Sequence, residues 1–313
     1  MSMADRPRMI LIAGPTASGK SALALEIAER LGGAVVNADS MQVYRDLHVL
    51  TSRPPAEDAA RVPHLLYGHV DGAEAYSAGR FLTDAAKVIS EARSPLIFVG
   101  GTGLYFDSLT KGISTVPPVP EAVRSHWRER ARAEPAGSLH AELGVRDPEM
   151  AARLQPTDTQ RLVRALEVLD ATGLSLARWQ EQDGTPLIGP GEGTRIVLTP
   201  DRPVLRERIA RRFAQMMEEG ALDEVRALLA RDLAPDLPVM KAIGVRPLAQ
   251  YLLGTMDKNE AVDRAITETR QFAKRQETWF RNRLGDWRHV PPDRALEIAE
   301  KAISAVQQGS TQE

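Results

Sequence analysis

Eight consecutive residues, Gly14-Pro15-Thr16-Ala17-Ser18-Gly19-Lys20-Ser21, carry the first recognisable chemistry of this chain. They fit the pattern G-x-x-x-x-G-K-[ST] and sit between a short apolar run and a helical pattern, the context in which such a loop cradles phosphates. Gly14 and Gly19 let the backbone turn tightly enough for successive N–H groups to converge on phosphate oxygens. The helix that begins near Lys20 adds the positive end of its dipole. The Lys20 ammonium neutralises phosphate charge, the Ser21 hydroxyl is placed to ligate Mg2+, and Thr16 offers one more hydroxyl. A bound di- or triphosphate with Mg2+ is expected. The motif alone leaves open what happens to it.

Two more segments follow apolar runs. Asn37-Ala38-Asp39-Ser40-Met41-Gln42-Val43-Tyr44 brings a carboxylate, Asp39, to the end of the second run. In open α/β sheets ligands sit beyond the carboxyl ends of the strands, so Asp39 and the phosphate loop are expected to face one crevice. A carboxylate there serves as a general base, as a water-mediated Mg2+ partner, or as a cap for the next segment. Val99-Gly100-Gly101-Thr102-Gly103-Leu104-Tyr105 opens at a third run, and its glycines and Thr102 suit close backbone approach and a hydroxyl contact with phosphate. A plain strand-to-helix turn is the alternative there.

The elements that must hold these loops form an α/β pattern. Met9–Ala13, Ala34–Ala38, Leu96–Val99 and Ile196–Leu198 read as buried parallel strands separated by helices. Leu23, Ile27 and Leu31 recur at four-residue spacing in a helix that Gly32-Gly33 ends, and a second helix spans Ala78–Ala92. Beyond the linker Val116–Pro120 the chain is helical only from Glu121 to about Ala177, most clearly over Thr159–Ala171. The fold expected is a P-loop-containing parallel sheet flanked by helices, residues 1–112 and 191–313, with an all-helical insertion domain at 113–190. The polar tail Gln307–Glu313 is expected to be disordered.

Composition limits the alternatives. The 313 residues are 43% hydrophobic and 26% charged, with net charge −2 and no cysteine. That removes disulfides, thiolate metal sites and cysteine nucleophiles. No apolar run reaches the roughly 20 residues of a membrane span, and MSMADRPR with MILIAG makes no secretory leader, so a cytoplasmic protein without membrane contact is expected; a monomer is expected by default, since the sequence does not give the oligomeric state. Positive charge is nonetheless concentrated. Residues 202–212 hold Arg202, Arg206, Arg208, Arg211 and Arg212 against Glu207 alone, and residues 264–283 are similarly basic. On the second helix Arg270, Lys274 and Arg281 fall opposite Phe272 and Trp279, a basic outer face behind a core-facing aromatic stripe. Either cluster suits a solvated face; together they favour a phosphate backbone. The six histidines lack metal-ligand spacing, Met216-Met217 reads as core packing, and Tyr44 and Tyr105 suit a substrate pocket and plain burial equally well.

Taken in order, GPTASGKS, DSMQVY from Asp39, GGTGLY at 100–105, QRLVRALEV at 160–168, RRFAQMMEEGALDEV at 211–225 and TRQFAKRQETWFR at 269–281 resemble the tRNA dimethylallyltransferase family, the tRNA isopentenyltransferases. The resemblance implies that Gly14–Ser21 hold the diphosphate of dimethylallyl diphosphate. The acceptor it implies is N6 of the adenine 3′ of the anticodon in tRNA. It makes Asp39 the general base, Thr16, Lys20, Ser21 and Thr102 contacts to diphosphate and Mg2+, and Arg212 the diphosphate-binding arginine of the 208–212 stretch. It implies tRNA contacts at Asp39, Ser40, Met41 and Gln42, at Thr102 and Arg124, and at Gln160, Arg161, Leu162, Val163 and Arg164. Further contacts follow within Lys241–Arg246 (Lys241, Gly244, Arg246) and within Lys274–Arg281 (Lys274, Arg275, Arg281). Two departures stand out: Gly244-Val245-Arg246-Pro247 replaces the frequent Gly-Tyr-Arg-Gln, and Thr51-Ser52-Arg53-Pro54 replaces Thr-Ala-Lys-Pro. Without cysteine the chain carries no zinc finger of the eukaryotic kind, which points to the bacterial type. Rival readings are prenyl transfer to a free adenine nucleotide, an ATP-dependent small-molecule kinase, and a noncatalytic RNA-binding protein.

Overall fold

The computed structural model describes residues 7–182 and 184–297; the segment Gln307–Glu313 lies outside them. The strands are β1 (Met9–Ala13), β2 (Ala34–Asn37), β3 (His64–Leu65), β4 (Leu96–Gly100), β5 (Thr194–Leu198) and β6 (Arg288–Val290). They form one sheet in the order β3-β2-β4-β1-β5-β6, and every pairing is parallel. All residues of β1, β2 and β4 are buried, as parallel strands covered on both faces require. Alternate residues feed two apolar layers. Leu11, Ala13, Val36, Phe98 and Val197 face one, while Ile10, Ile12, Val35, Ile97 and Ile196 face the other.

The edge strands β3 and β6 carry no apolar run to betray them: His64-Leu65 is only half-buried and Arg288-His289 is exposed. The second strand stops at Asn37, one residue earlier than its apolar run suggests. The Asn37 side chain accepts the Asp39 N–H at 2.9 Å and donates to the Asp39 and Leu66 carbonyls, which turns the chain out of the sheet.

The helices are α1 (Lys20–Leu31), α2 (Ala56–Arg61), α3 (Ala78–Glu91), α4 (Gly103–Lys111), α5 (Glu121–Ala133), α6 (Ser138–Arg146), α7 (Pro148–Arg153), α8 (Thr159–Thr172), α9 (Leu176–Trp179), α10 (Arg202–Glu218), α11 (Ala221–Leu229), α12 (Val245–Leu252) and α13 (Lys258–Arg283). None among the described residues is long and apolar enough to cross a membrane. The chain divides into two compact units, Met1–Thr110 with Leu187–Glu313, and Lys111–Pro186. The return to the first unit comes four residues earlier than the Gly/Pro-rich stretch suggests. Leu187 and Ile188 both donate their N–H groups to the Leu109 carbonyl, at 3.0 and 2.9 Å, and the Ile188 side chain is fully buried.

The second unit is helical and has its own core around Trp127, Leu143, Leu162 and Leu166. Trp127 donates its ring N–H to Asp170 at 2.7 Å, and the guanidinium of Arg130 stands 4.8 Å from its ring centroid. In the first unit, the point where β4 turns toward β2 has no room for a side chain. A Cβ on Gly100 would collide with the Ala38 backbone, including its carbonyl oxygen. Gly100→Ala should therefore lower unfolding stability by about 1–3 kcal/mol, read from the midpoint of a urea titration; an unchanged midpoint would refute this packing account.

Candidate active site

Strand order brings the three loops together. β4 lies between β1 and β2, with Ala13 paired to Gly100 and Asn37 to Val99, so the chain leaves all three strands at one level. Gly14 donates its N–H to the Gly100 carbonyl at 3.3 Å, and Thr102 donates its own to the Ala38 carbonyl at 3.3 Å. The glycine turn thus forms a wall between the phosphate loop and the segment that carries Asp39.

Two cavities open at this level. The larger, about 550 Å³, is lined by Ser18, Gly19, Lys20 and Ser21 together with Arg53 and Tyr67. The smaller, about 300 Å³, contains Thr16, Asp39, Ser40 and Met41, with Lys241 and Arg275 at its wall. Four residues line both: Ala17, Ser52, Arg212 and Met216. Ala17 and Ser52 hold φ of 62° and 49° without being glycine, a strained backbone of the sort found at functional sites.

Lys20 curls over the loop and donates to the Pro15 carbonyl at 3.3 Å. Burial pulls its pKa down to about 8; the nearby Asp39 carboxylate resists that fall and the Arg212 guanidinium adds to it. Burial likewise lowers the pKa of Arg212, against the pull of Asp39 and Glu219. The same carboxylate raises the hydroxyls of Tyr67 and Tyr105, after the larger effect of burial. Asp39 is therefore the carboxylate whose charge reaches Lys20, Arg212, Tyr67 and Tyr105 alike, while Asp58 and Glu219 line the larger cavity. Its Oδ1 accepts the Met41 N–H at 2.9 Å, so the carboxylate caps the following turn as well as facing the cavity.

The predicted residues divide by place. Gly14 and Pro15 are buried and shape the turn without lining either cavity. Thr16 lines the Asp39 cavity, not the one beside Lys20 and Ser21. The Thr102 hydroxyl accepts the Ser40 N–H at 2.9 Å and approaches the Ser40 hydroxyl at 3.2 Å, which fixes the Asp39 turn from the side. Of the arginines on α10, Arg212 reaches both cavities, and Arg208 lies one turn away, with Nη1 3.9 Å from where a Cβ on Gly19 would stand.

Gln42 donates to the carbonyls of Thr51 and Ser52, at 2.8 and 3.0 Å, and so secures the loop between the cavities. Gly244 is buried at the head of α12 with φ 93°, a structural place for a residue expected at an RNA surface. Arg246, Lys274 and Arg281 are exposed. In the second unit Gln160 and Arg161 are exposed, and Arg124, Val163 and Arg164 are half-buried. The Leu162 side chain, at 1% exposure, belongs to that unit's core, so only its backbone is left to meet RNA. Phe272 is corrected. The buried stripe of α13 is Ala261, Ala265, Ala273, Gln276 and Phe280, while Phe272 lines the Asp39 cavity with Arg275 over its ring at 5.7 Å. Met216 packs on the core as expected and also lines both cavities.

Two residues organise the site in ways the sequence does not announce, although Gln276 falls within the Lys274–Arg281 stretch expected to meet tRNA. Glu224 on α11 accepts the backbone N–H groups of His48, Val49 and Leu50, the last two at 2.9 and 2.8 Å, and so pins the loop that supplies Ser52 and Arg53. Gln276 on α13 is 5% exposed and accepts the Thr16 N–H at 3.0 Å. Nothing in the local sequence of either marks a partner so distant in the chain.

The comparisons with known proteins agree with this arrangement. A family model described as IPP transferase matches residues 42–283. The tRNA dimethylallyltransferase of Chelativorans sp. (strain BNC1) is 54% identical over 285 residues, spanning 90% of this chain and 98% of the relative. A solved full-length tRNA isopentenylpyrophosphate transferase from Bacillus halodurans shares 32% identity over 97% of this chain and 98% of its own, with a TM-score of 0.67. A eukaryotic dimethylallyltransferase solved in the course of acting on tRNA shares 26% identity, with a TM-score of 0.80 over 96% of this chain and 80% of that one. A phosphate loop, a facing carboxylate and a match over more than three-quarters of the residues lead to one assignment: the chain belongs to the IPP transferase family.

Proposed function

We propose that this chain transfers a dimethylallyl group from dimethylallyl diphosphate to N6 of the adenine 3′-adjacent to the anticodon of tRNA. The products are N6-dimethylallyladenosine and diphosphate. One observation carries the reading: a cavity floored by the phosphate loop and a cavity holding Asp39 share a boundary at Ala17, Ser52, Arg212 and Met216. A donor whose diphosphate sits on one side and an acceptor base on the other would meet there.

The chemistry follows from those walls. The C1–O bond of an allylic diphosphate breaks with the electron pair leaving on oxygen, and positive charge develops at C1. Lys20, Arg212 and the N–H groups of the loop stabilise the departing anion, the effect with the largest weight in such a step. The exocyclic amine is a weak nucleophile because its lone pair is delocalised into the ring. Asp39 accepts the proton that N6 loses as the N6–C1 bond forms. Met41, Leu50, Ile209, Phe213 and Phe272 make the acceptor cavity apolar, which suits an extruded base and keeps water from the reacting carbon.

Mg2+ belongs to the same reading. Among the described residues no group of three or more His, Asp and Glu side chains is placed to hold a metal. The Ser21 hydroxyl at the cavity wall fits an ion that takes its other oxygens from diphosphate and water. Such an ion would supply charge neutralisation to the leaving group. The tRNA contacts proposed for the exposed Arg246, Lys274, Arg275 and Arg281, and for Arg124, Gln160, Arg161 and Arg164, would add the phosphate-backbone affinity that a small acceptor would not need. A cytoplasmic location follows from the substrate.

The test incubates the protein with unmodified tRNA, labelled dimethylallyl diphosphate and Mg2+, followed by nuclease digestion. Label in N6-dimethylallyladenosine at the expected position is the predicted result. Label on AMP and not on tRNA, or release of ADP from ATP without prenyl transfer, would overturn it.

A further inference from the structure

Gln276 sits in a stretch whose neighbours, Lys274, Arg275 and Arg281, are exposed and basic, yet its own side chain is buried beneath them. Its amide is used at both ends. Oε1 accepts the N–H of Thr16 in the phosphate loop at 3.0 Å, and Nε2 donates to the carbonyl of Gly101 in the glycine turn at 2.8 Å. These two loops are 260 and 175 residues away in the chain, and the glycine turn is the one that stands between the phosphate loop and the segment carrying Asp39. The third participant is close as well. A Cβ on Gly101 would meet Nε2 of Gln276 on one side and stand 3.2 Å from Oδ2 of Asp39 on the other.

We propose that Gln276 is a positioning residue. Its amide ties the phosphate loop to the glycine turn, sets the separation between the diphosphate and Asp39, and links both to the basic helix α13. The proposal rests on the transferase reading above and deepens it. Two consequences follow from the geometry. The Thr16 N–H is occupied by Gln276 and the Ser18 N–H by the Pro15 carbonyl at 3.2 Å, so the diphosphate is left with the amides of Ala17 and of Gly19 onward. The loop and the turn also cannot shift independently while a side chain with one acceptor and one donor bridges them, and only an amide or a protonated carboxyl of this length has both.

Three variants test this. Gln276→Met keeps the length and removes both hydrogen bonds, leaving a buried N–H and a buried carbonyl without partners. It should raise the KM for dimethylallyl diphosphate and lower kcat, with kcat/KM falling about 10–100-fold, the scale expected from misplacing reacting groups by a fraction of an ångström to an ångström. Binding of unmodified tRNA, read by filter retention, should stay within threefold of wild type. Gln276→Glu should behave like wild type at low pH, where the neutral carboxyl both accepts from Thr16 and donates to Gly101. It should lose activity relative to wild type as pH rises and the ionised group repels the Gly101 carbonyl and Asp39. Gln276→Ala should lose the activity at every pH.

Calorimetric titration with inorganic pyrophosphate provides a readout independent of turnover: Gln276→Met should weaken it about tenfold or more. If wild type fails to prenylate tRNA while the pyrophosphate effect stands, the transferase reading fails and the clamp survives. Wild-type pyrophosphate affinity and kcat/KM in Gln276→Met would overturn the clamp. So would a loss confined to tRNA affinity, which would make Gln276 an RNA contact.

Discussion

Asp39→Asn should slow prenyl transfer in a single turnover by about 10²–10⁴-fold, the range that a positioned general base contributes. Affinity for tRNA and for pyrophosphate should stay at or above wild type. The variant is chosen because it separates the three roles a carboxylate could fill at this place. Oδ1 of Asp39 accepts the Met41 N–H at 2.9 Å, and an asparagine oxygen accepts that bond equally well, so the turn that carries residues 39–42 is preserved. A capping role alone would leave the rate within threefold of wild type, and that outcome would remove Asp39 from the mechanism. A role as an outer partner of Mg2+ would be rescued by raising the Mg2+ concentration; a proton acceptor would not. The electrostatics add a second sign to check. Asp39 opposes the lowering of the Lys20 pKa and that of Arg212, so its negative charge lies within reach of both cations. Neutralising it removes a repulsion from the incoming diphosphate but also the charge that holds the Lys20 pKa up, so the comparison is made well below pH 8, where Lys20 stays protonated: pyrophosphate should there bind the variant slightly more tightly while catalysis collapses.

The parts of this architecture that the sequence announces are those whose physics is local. A parallel strand buried on both faces must be an apolar run, and MILIA and LIFVG are. A phosphate loop needs glycines and a lysine at fixed offsets because its ligand is bound by consecutive amides, so the whole device fits in eight residues. The relative placement of three loops follows from strand order. That order is not written in any one strand, but the rule that ligands lie beyond the carboxyl ends holds for all of them, and Asp39 could be aimed at the phosphate loop before the order was known.

What stayed hidden depends on distance in the chain. Glu224 closes on three amides some 174 to 176 residues earlier, and Gln276 on a loop 260 residues earlier. The edge strands β3 and β6 are two and three residues long and owe their conformation to the neighbours they pair with. The helix α13 misled in a different way. A wheel that puts aromatics opposite basic residues presumes one buried face, but this helix has two neighbours to satisfy. The core takes Phe280 and Ala273, and the acceptor cavity takes Phe272. An apolar residue that faces a ligand cavity has the same signature as one that faces a core.

Lys20 is where the second large effect is expected, and it carries its own pH signature. Lys20→Met should lower kcat/KM by about 10²–10³-fold, since it removes a cation aimed at the anion that forms as the bond breaks. In the wild type, burial has brought the pKa of this lysine down to about 8, against 10.5 for an ordinary side chain. The sign then follows from linkage. The ammonium binds diphosphate and the neutral amine does not, so below about pH 8 the group is charged in the unliganded enzyme and contributes fully. As pH rises through 8 a proton must be taken up for binding, and the apparent affinity for pyrophosphate should fall by up to about tenfold per pH unit. The ligand's own titration is common to every variant, which makes Lys20→Arg the proper reference: a guanidinium keeps its charge across this range. Plotted as a ratio to Lys20→Arg, wild-type pyrophosphate affinity should be flat below pH 8 and decline above it. A ratio that stays flat to pH 10 would mean that the lysine keeps an ordinary pKa. The low-dielectric environment of the loop, from which the strength of the leaving-group stabilisation is argued, would then be wrong.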